Sequence, residues 1–276
     1  MSISAVVVTF NSAGTIERCL ISLLSQSIKP DEILVVDNAS RDNTIELVAT
    51  NFPEVKTIQN KENRGFATAC NTGIANTDSD FVAMLNPDAW ADEKWLENLS
   101  KDMSSDDRTA IVGSRILNPD GTTWSAGGKF SYFKPGMAFL IKKDGKKGDR
   151  YFVDTCACLI RRSAVTEVGN FDEKFFLNVE DLEWCWRARK AGHRVAYNPE
   201  AVARHDAGHS MGRGETYYYW NIRGHLHFIG KHFRGTRKMI LRANYKIYLA
   251  ILKAKFRKRP PILDAIRRAA EDAKNV

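Results

Sequence analysis

The first hundred residues alternate between short apolar runs and segments with helical spacing, which limits the possible folds more than any other feature. The apolar runs are Ile3–Thr9, Ile33–Val36, Val55–Gln59 and Phe81–Leu85. Helical spacing follows each run, at Glu17–Leu24, Asn43–Thr50, Phe66–Ile74 and Glu93–Leu99. Strands that alternate with helices form parallel sheets covered by helices on both faces. The pattern predicts an α/β domain with a largely parallel sheet.

Polar residues stand where three of these runs end. They are Asn11, the pair Asp37-Asn38, and Asn86-Pro87-Asp88. Turn chemistry alone would explain one such ending, because Asn, Asp and Pro are common turn formers. Three in succession favour a binding site, since ligands of open α/β sheets lie beyond the carboxyl ends of the strands. Neither G-x-G-x-x-G nor G-x-x-x-x-G-K-[ST] occurs, which argues against a dinucleotide-binding dehydrogenase and a P-loop enzyme.

Asp88 is a candidate ligand for a divalent cation, because hard oxygen ligands at a rigid strand end suit a metal that neutralises a diphosphate. A second acidic stretch, Asp78-Ser79-Asp80, has the spacing of a D-x-D metal motif. It precedes the strand Phe81–Leu85, so we expect it at the opposite edge of the sheet, as a turn between helix and strand.

The second half of the chain is less regular, with loops or a hairpin expected between Trp124 and Lys147 and helices at Asp181–Ala191 and Tyr217–His232. Glu180-Asp181 begins the first of these helices. Acidic side chains at such a position can simply cap free N–H groups. In their aromatic surroundings they also suit a general base shielded from water, and the residues alone leave both interpretations open.

His205 is followed four residues later by His209, the spacing of a helical zinc pair. The intervening glycine and the missing glutamate argue for a loop instead. His205 could join Asp88 on a metal, although spacing does not establish this. The five cysteines offer no zinc set and no comfortable disulfide, so we expect them to be reduced fillers.

The net charge of +8 is concentrated at one end of the chain. Residues 231–276 contain 14 Lys or Arg against three acids, which leaves the remainder mildly acidic. Lys238, Arg242 and Lys246 form one basic stripe on a helix that also carries Leu241, Tyr245, Tyr248 and Leu252. The helix could be solvated and packed on the body, but the pattern favours an amphipathic helix on anionic lipid.

These charges divide the chain into a catalytic domain, residues 1–232, and a basic helical tail, residues 233–276. No apolar run reaches the roughly 18 residues that span a bilayer, and no signal peptide pattern begins the sequence. We therefore expect a cytoplasmic protein, peripheral on the inner face of the cell membrane. A nucleic-acid partner is not expected, because few stacking aromatics accompany the basic residues.

The chain resembles the inverting glycosyltransferases of family 2, within their rhamnosyltransferase-like branch. The matching stretches run in the family's order over about residues 6–233. They are VVVTFNSAGTI, ILVVDNASRDNT, NRGFATACNTGI, FVAMLNPDAW, GNFDEKFFLNVEDLEWCWRARKAGHRVAYNPEAVARHDAGHS and HFIGKHF. The resemblance implies a GT-A fold, which is a Rossmann-like, mixed and mainly parallel sheet flanked by helices.

The resemblance also implies a role for each matched position. The residues implied to bind the nucleotide sugar are Thr9, Asn11, Asp37, Arg64, Gly65, Phe66 and Asn86. Asp88, with His205, would hold Mg²⁺ or Mn²⁺, and Asp181, with Glu180 beside it, would deprotonate the acceptor hydroxyl. The family often carries Arg-Asn before its Lys-His pair, where this chain has Arg223-Gly224.

The expected activity is metal-dependent, inverting transfer of a sugar, foremost L-rhamnose from dTDP-rhamnose. The expected acceptor is a glycan or lipid-linked glycan of cell-wall or polysaccharide synthesis. A transferase that uses a UDP- or GDP-sugar is an alternative, as is a non-catalytic nucleotide-sugar binder or membrane adaptor on the same fold. A sugar nucleotidyltransferase fits less well, because Asn11–Gly14 is not a Gly-rich, basic loop.

Overall fold

The computed structural model describes residues 1–143, 145–206 and 214–273. The strands are β1 Ile3–Thr9, β2 Glu32–Asp37, β3 Lys56–Gln59, β4 Phe81–Leu85, β5 Ala89–Ala91, β6 Thr109–Leu117, β7 Thr123–Ser125, β8 Gly128–Phe130, β9 Ala138–Leu140, β10 Gly148–Asp149, β11 Ala157–Arg161 and β12 Arg194–His205. The helices are α1 Ile16–Leu24, α2 Thr44–Asn51, α3 Phe66–Ala75, α4 Trp95–Ser104, α5 Arg162–Val168, α6 Glu180–Lys190, α7 Glu215–His232, α8 Gly235–Lys255 and α9 Pro260–Asp272.

A mixed, mainly parallel sheet forms the centre of the protein, as the alternating pattern predicted. Its strand order is β10-β12-β6-β11-β4-β1-β2-β3, with β5 on β12 and β7 on β6. Strands β1 to β4 pair in parallel, which confirms the four strands expected from the first hundred residues. Hydrophobic clusters cover both faces of the sheet, because its central strands alternate buried side chains to either side.

The strand β11 runs antiparallel to both of its neighbours, β4 and β6. Its amino end therefore lies at the edge where β1, β2 and β4 have their carboxyl ends. The register pairs Ala157 at the start of β11 with Leu85 at the end of β4. Strands β6 and β12 are parallel to each other and end at the same edge. One edge thus receives chain segments from both halves of the sequence.

The second half is more regular than the sequence indicated. Strands β6 and β12 were not predicted, and the hairpin, one of the two expectations for Trp124 to Lys147, is present as β8 and β9. The prediction that His205 lies in a loop was wrong, because His205 is the last residue of β12. Its neighbour in the motif, His209, lies outside the described residues.

The C-terminal helices pack onto the body. Leu241, Tyr245 and Leu252 of α8 are buried and belong to the same hydrophobic cluster as the sheet face, so they do not face lipid. Helix α9 buries Ile262 and Ile266 in that cluster as well. The domain boundary at residue 232 remains a prediction. Within the described ranges, no helix is long and apolar enough to cross a membrane.

A buried carboxylate, Glu183, connects α6 to the end of α7. It lies 2.7 Å from Lys231 Nζ and 3.0 Å from His232 Nε2, and it also accepts hydrogen bonds from Arg187 on its own helix. The pKa of Glu183 lies below its usual value, because these partners outweigh the effect of burial. The Lys-His pair of the sequence resemblance therefore forms, with Glu183, an ion-pair cluster that links α6 to the end of α7.

Replacement of Glu183 tests how much this ion-pair cluster contributes to stability. We expect Glu183→Ala to lower the free energy of unfolding by about 3 kcal/mol, because it leaves a partly buried cation cluster without its counter-ion. Glu46→Ala is the control, since Glu46 is an exposed acid in the first turn of α2, and it should change stability by less than about 0.5 kcal/mol. Urea unfolding measures the free energy of unfolding of both variants. Equal losses of stability in the two variants would refute a stabilising role of the ion-pair cluster.

Candidate active site

Asp88 and His205 meet at the carboxyl edge of the sheet. The short strand β5 pairs antiparallel with the end of β12, and its register places His205 opposite Ala89. A backbone hydrogen bond from Asp206 N to Asp88 O, 3.0 Å long, closes the pairing. As a result, His205 Nε2 lies 3.1 Å from Asp88 Oδ1, and both side chains are buried. The two expected metal ligands, 117 positions apart in the sequence, are neighbours.

Without a bound cation, the surroundings of His205 favour its charged form, and a metal ion held there would take the place of that proton. Burial lowers the pKa of this imidazole, but interactions with Cys156 and the Asp88 carboxylate outweigh burial and raise the pKa to about 11. The ring of Trp124 packs edge-on against His205, with centroids 5.0 Å apart. The orientation of the imidazole toward Asp88 is therefore set by packing on one side and by an ion pair on the other.

Glu180 and Asp181 occupy the first turn of α6. The two residues before them, Asn178 and Val179, have positive φ angles of 63° and 74°. Such angles are unfavourable for residues other than glycine, and above all for a β-branched valine, so the backbone is strained where it delivers the carboxylates. Glu180 is buried, whereas Asp181 is half-buried and retains access to solvent.

Asp154 is a third carboxylate of this site, and sequence reasoning missed it. It lies just before β11 and is buried, with Ser125 Oγ donating a hydrogen bond to its Oδ2. It interacts electrostatically with His205 on one side and with Glu180 and Asp181 on the other. Its position depends on the reversed direction of β11. The available signal was a lone Asp at the start of an apolar run, but a strand of unknown direction does not show which edge receives it.

The three carboxylates hold their protons more tightly than isolated acids do. Burial raises the pKa of Glu180 to about 7. Burial, with the neighbouring Glu180 and Asp154, raises the pKa of Asp181 well above its usual range. Burial likewise raises the pKa of Asp154. Such displaced pKa values are characteristic of acid–base sites, because a base is most effective when its pKa lies near the working pH.

The residues expected to hold the nucleoside lie at the ends of β1 and β2. Thr9 is paired with Asp37, and both are buried. Thr9 Oγ1 has no hydrogen-bond partner among the described residues, so it can bind a ligand. Asp37 accepts hydrogen bonds from the backbone and hydroxyl of Ser40, and Asn11 Oδ1 accepts one from Arg41 N. Asp37 and Asn11 thus also shape the turn after β2.

The segment Arg64–Phe66 approaches the same edge. Asn38, after β2, donates a hydrogen bond to the carbonyl oxygen of Gly65, which ties this segment to the end of β2. Gly65 has a φ of 95°, and a Cβ there would lie 2.5 Å from Phe176 O, so no larger residue fits. Phe66 N donates to the same oxygen at 2.7 Å. The loop before α6 therefore rests on the start of α3.

Arg64 and Asn86, which were also predicted to bind the nucleotide sugar, are less buried than Thr9 and Asp37. Arg64 is exposed, and its guanidinium lies 3.5 Å from the Glu173 carboxylate. The backbone N–H of Asn86 is bonded to the carbonyl of Cys156, while its side chain is half-buried near the site. The stretch Asp78–Asp80 lies at the opposite edge, where Asp80 binds Ser2, as the sequence predicted.

All five cysteines are buried, and none is in a disulfide. Burial raises the pKa of each thiol, so these residues are apolar fillers, as expected.

The side chains at this edge fit a divalent cation for which the protein supplies some ligands and a bound phosphate compound supplies the others. Across residues 1–143, 145–206 and 214–273, no three His, Cys, Asp or Glu side chains are arranged to hold a metal ion by themselves. Asp88 and His205 provide one carboxylate and one imidazole. Mg²⁺ in particular is usually bound by one or two protein carboxylates, water and substrate phosphates. The pair suits a metal that arrives with, or is completed by, a diphosphate.

The fold is that of the GT-A glycosyltransferases. It matches a mannosyltransferase from Pyrobaculum calidifontis in complex with GDP-Man and Mn²⁺, with a TM-score of 0.63 over 99% of this chain and 75% of that chain, at 18% sequence identity. Residues 4–169 match the family model described as glycosyl transferase family 2. The chain therefore belongs to glycosyltransferase family 2 and is a glycosyltransferase.

Two proteins with similar sequences are named rhamnosyltransferases. The chain is 28% identical over 236 residues to the N-acetylglucosaminyl-diphospho-decaprenol L-rhamnosyltransferase of Mycobacterium tuberculosis, covering 75% of this chain and 77% of the relative. It is 28% identical over 211 residues to an O-antigen chain rhamnosyltransferase of Salmonella typhimurium, covering 74% of this chain and 66% of the relative. Relatives with rhamnosyltransferase names thus cover about three quarters of the chain.

The raised pKa of Glu180 predicts how stability depends on pH. Because Glu180 holds its proton to about pH 7 when folded but only to about pH 4.5 when unfolded, its contribution to stability declines as pH rises between these values. Glu180→Gln removes this decline. We expect it to raise the free energy of unfolding at pH 8 by up to about 3 kcal/mol, and to change it little at pH 4.

Denaturant unfolding at the two pH values measures the effect. Glu97→Gln is the matched control, since Glu97 also lies in a helical first turn but its pKa is lowered by Lys101 and Ser27. No gain in stability from Glu180→Gln at pH 8 would show that Glu180 is not a destabilising buried carboxylate.

Proposed function

We propose that the chain transfers L-rhamnose from dTDP-L-rhamnose, with inversion, to a hydroxyl of a glycan or lipid-linked glycan. The observation that carries this proposal is the Asp88–His205 pair beside the carboxylates of α6, at one edge of the sheet. Rhamnose is supported by the names of two relatives, and a lipid-linked acceptor by the words diphospho-decaprenol in one of them. The same acceptor class would place the enzyme in cell-wall or polysaccharide synthesis.

Donor binding is assigned to the ends of β1, β2 and β4. The buried hydroxyl of Thr9 and the carboxylate of Asp37 are positioned for the nucleoside, and Arg64–Phe66 border it. Asp88 and His205 would hold Mg²⁺ or Mn²⁺, whose charge would neutralise that of the departing diphosphate. Mn²⁺ accompanies the donor in the mannosyltransferase structure, which supports a divalent ion in a donor site on this fold.

Asp181 is assigned as the general base. It is half-buried, so an acceptor hydroxyl can reach it, and burial, together with its neighbours Glu180 and Asp154, raises its pKa, which makes the carboxylate a stronger base. The acceptor oxygen forms a bond to the anomeric carbon as the bond to the diphosphate breaks, and the acceptor proton passes to Asp181. A single displacement from the opposite face inverts the anomeric centre and requires no covalent enzyme intermediate.

The membrane is proposed as the place of this reaction. The basic segment after residue 232 would bind anionic lipid on the cytoplasmic face, where a lipid-linked acceptor presents its glycan. The excess of 14 Lys or Arg over three acids in residues 231–276 supports this location.

The base assignment is tested with Asp181→Asn. We expect turnover of dTDP-rhamnose with a membrane-extracted acceptor to fall by at least about 10³-fold, because the amide cannot take the proton. The affinity for the donor should stay within about twofold. Asp78→Asn is the control, because this acid lies at the opposite edge.

Retained turnover in Asp181→Asn would contradict the role of Asp181 as base. Lost donor binding in a folded Asp181→Asn protein would move Asp181 from the acceptor side to the donor side, and would contradict it as well.

A further inference from the structure

Large hydrophobic side chains are exposed on one side of α8. Met239 is 71% exposed, and Ile247 and Ile251 are each 52% exposed. The spacing of four and eight residues places Ile247 on the same side of the helix as Ala243 and Met239, and Ile251 follows Ile247 by one turn. The opposite side of α8 is the one that buries Leu241, Tyr245 and Leu252 in the body. The helix therefore has two apolar sides, and the residues that the structure describes cover only one of them.

Cations surround the uncovered side. Residues 235–259 contain nine Lys or Arg and no Asp or Glu. Arg242 and Lys246 are exposed and lie one turn apart, and Arg242 follows Met239 by three residues, so it is a neighbour of Met239 on the helix. An apolar stripe between cations suits the boundary between headgroups and acyl chains, where isoleucine enters the apolar layer and lysine or arginine remains at the anionic surface.

The hairpin of β8 and β9 extends this surface. At its tip, Phe133 is 78% exposed and is followed by the exposed Lys134. The tip is attached to α8, because Asn244 Nδ2 donates a hydrogen bond to Tyr132 O at 2.6 Å. A Cβ on Gly136 would lie 3.4 Å from the ring of Tyr248, so hairpin and helix are in contact along one helical turn.

Phe133 and the α8 stripe belong to one surface. Asn244 and Tyr248, which hold the hairpin, each precede Ile247 or Ile251 by three positions, and residues three apart are neighbours on a helix. The hairpin tip and the exposed isoleucines thus flank the same turn of α8. We call the surface of Phe133, Met239, Ile247 and Ile251 the docking face.

We propose that the docking face inserts into an anionic lipid bilayer, with Phe133 entering from the hairpin and Ile247 and Ile251 from the helix. This inference rests on the membrane location of the proposed function and names the residues that make the contact. A membrane fits better than an acidic protein, because a phenylalanine on a protruding tip and a helix lying beside it can enter a soft apolar layer together. The nine cations, without one acid, match the negative headgroups.

The test measures co-sedimentation of the full chain with vesicles of phosphatidylcholine containing 30% phosphatidylglycerol, as about a third of lipids are then anionic. We expect Ile247→Ser/Ile251→Ser and Phe133→Ser each to weaken binding by about tenfold, since each loses buried apolar area. Ile21→Ser is the matched control, because Ile21 is 55% exposed on α1, away from the docking face. It should bind like the unaltered chain.

A second measurement does not depend on truncating side chains. Phe133→Trp should show tryptophan quenching by brominated lipid in anionic vesicles, whereas Ile21→Trp should not. Absence of vesicle binding by the unaltered chain, or equal binding by the serine variants, or no quenching at position 133, would each overturn the proposal. Oligomerisation that depends on Ile247 and Ile251 without vesicle binding would assign the face to a second copy instead.

Calorimetric affinity for the donor is recorded for the same variants. It should be unchanged in all of them, because the docking face does not include the donor site. Serine variants that lose vesicle binding but keep donor binding would support the docking face. If the unaltered chain does not bind the donor, the proposed function is refuted, and the vesicle assay still decides the membrane contact.

Discussion

The pairing of β5 with the end of β12 is the contact on which the site depends. It joins a segment that follows the fourth strand to one that ends more than a hundred residues later, and it places His205 next to Asp88. An ion pair buried in this way is costly to assemble unless the backbone holds both partners. Here the ladder hydrogen bonds carry that constraint, so the two side chains are set before any ligand binds.

A second constraint acts on the carboxylates of α6. Positive φ angles at Asn178 and Val179 turn the chain so that Glu180 and Asp181 enter the site at the start of the helix. The same first turn of the helix also carries Glu183, which binds Lys231 and His232 of α7. Ion pairs in the same turn thus hold the strained start of α6, and the proposed general base, Asp181, is positioned by parts of the fold that lie outside the proposed site.

Much of the fold could be predicted because it depends on local pattern. The strands β1 and β4 have the predicted bounds, and the polar residues that follow β1, β2 and β4 lie at one edge of the sheet, as predicted. Asp88 was proposed as a site residue from its residue type and position, and Asp181 was chosen as the base with the help of the family resemblance; both roles remain predictions. Asp154 could not be found this way, because its place depends on the antiparallel direction of β11, which is a long-range property of the sheet. The position of His205 at the end of a strand could not be predicted for the same reason.

Helix α8 shows the limit of a sequence pattern taken without the tertiary structure. Leu241 and Tyr245 form a plausible lipid-facing stripe in the sequence, yet the body of the protein covers them. The exposed stripe of Met239, Ile247 and Ile251 is distinguished only by knowing which side of α8 is already packed. Amphipathicity specifies that a helix has an apolar side, whereas tertiary contacts decide which partner that side receives.

We propose that Asp88 and His205 form a metal-dependent site for the nucleotide-sugar donor. Calorimetric titration of the chain with dTDP-rhamnose, UDP-sugars and GDP-sugars, first with Mn²⁺ and then with EDTA, tests this site. We expect dTDP-rhamnose to bind in the presence of Mn²⁺, EDTA to abolish this binding, and Asp88→Asn to do the same. Binding that is indifferent to EDTA and to Asp88→Asn, or no binding of any nucleotide sugar, would contradict it.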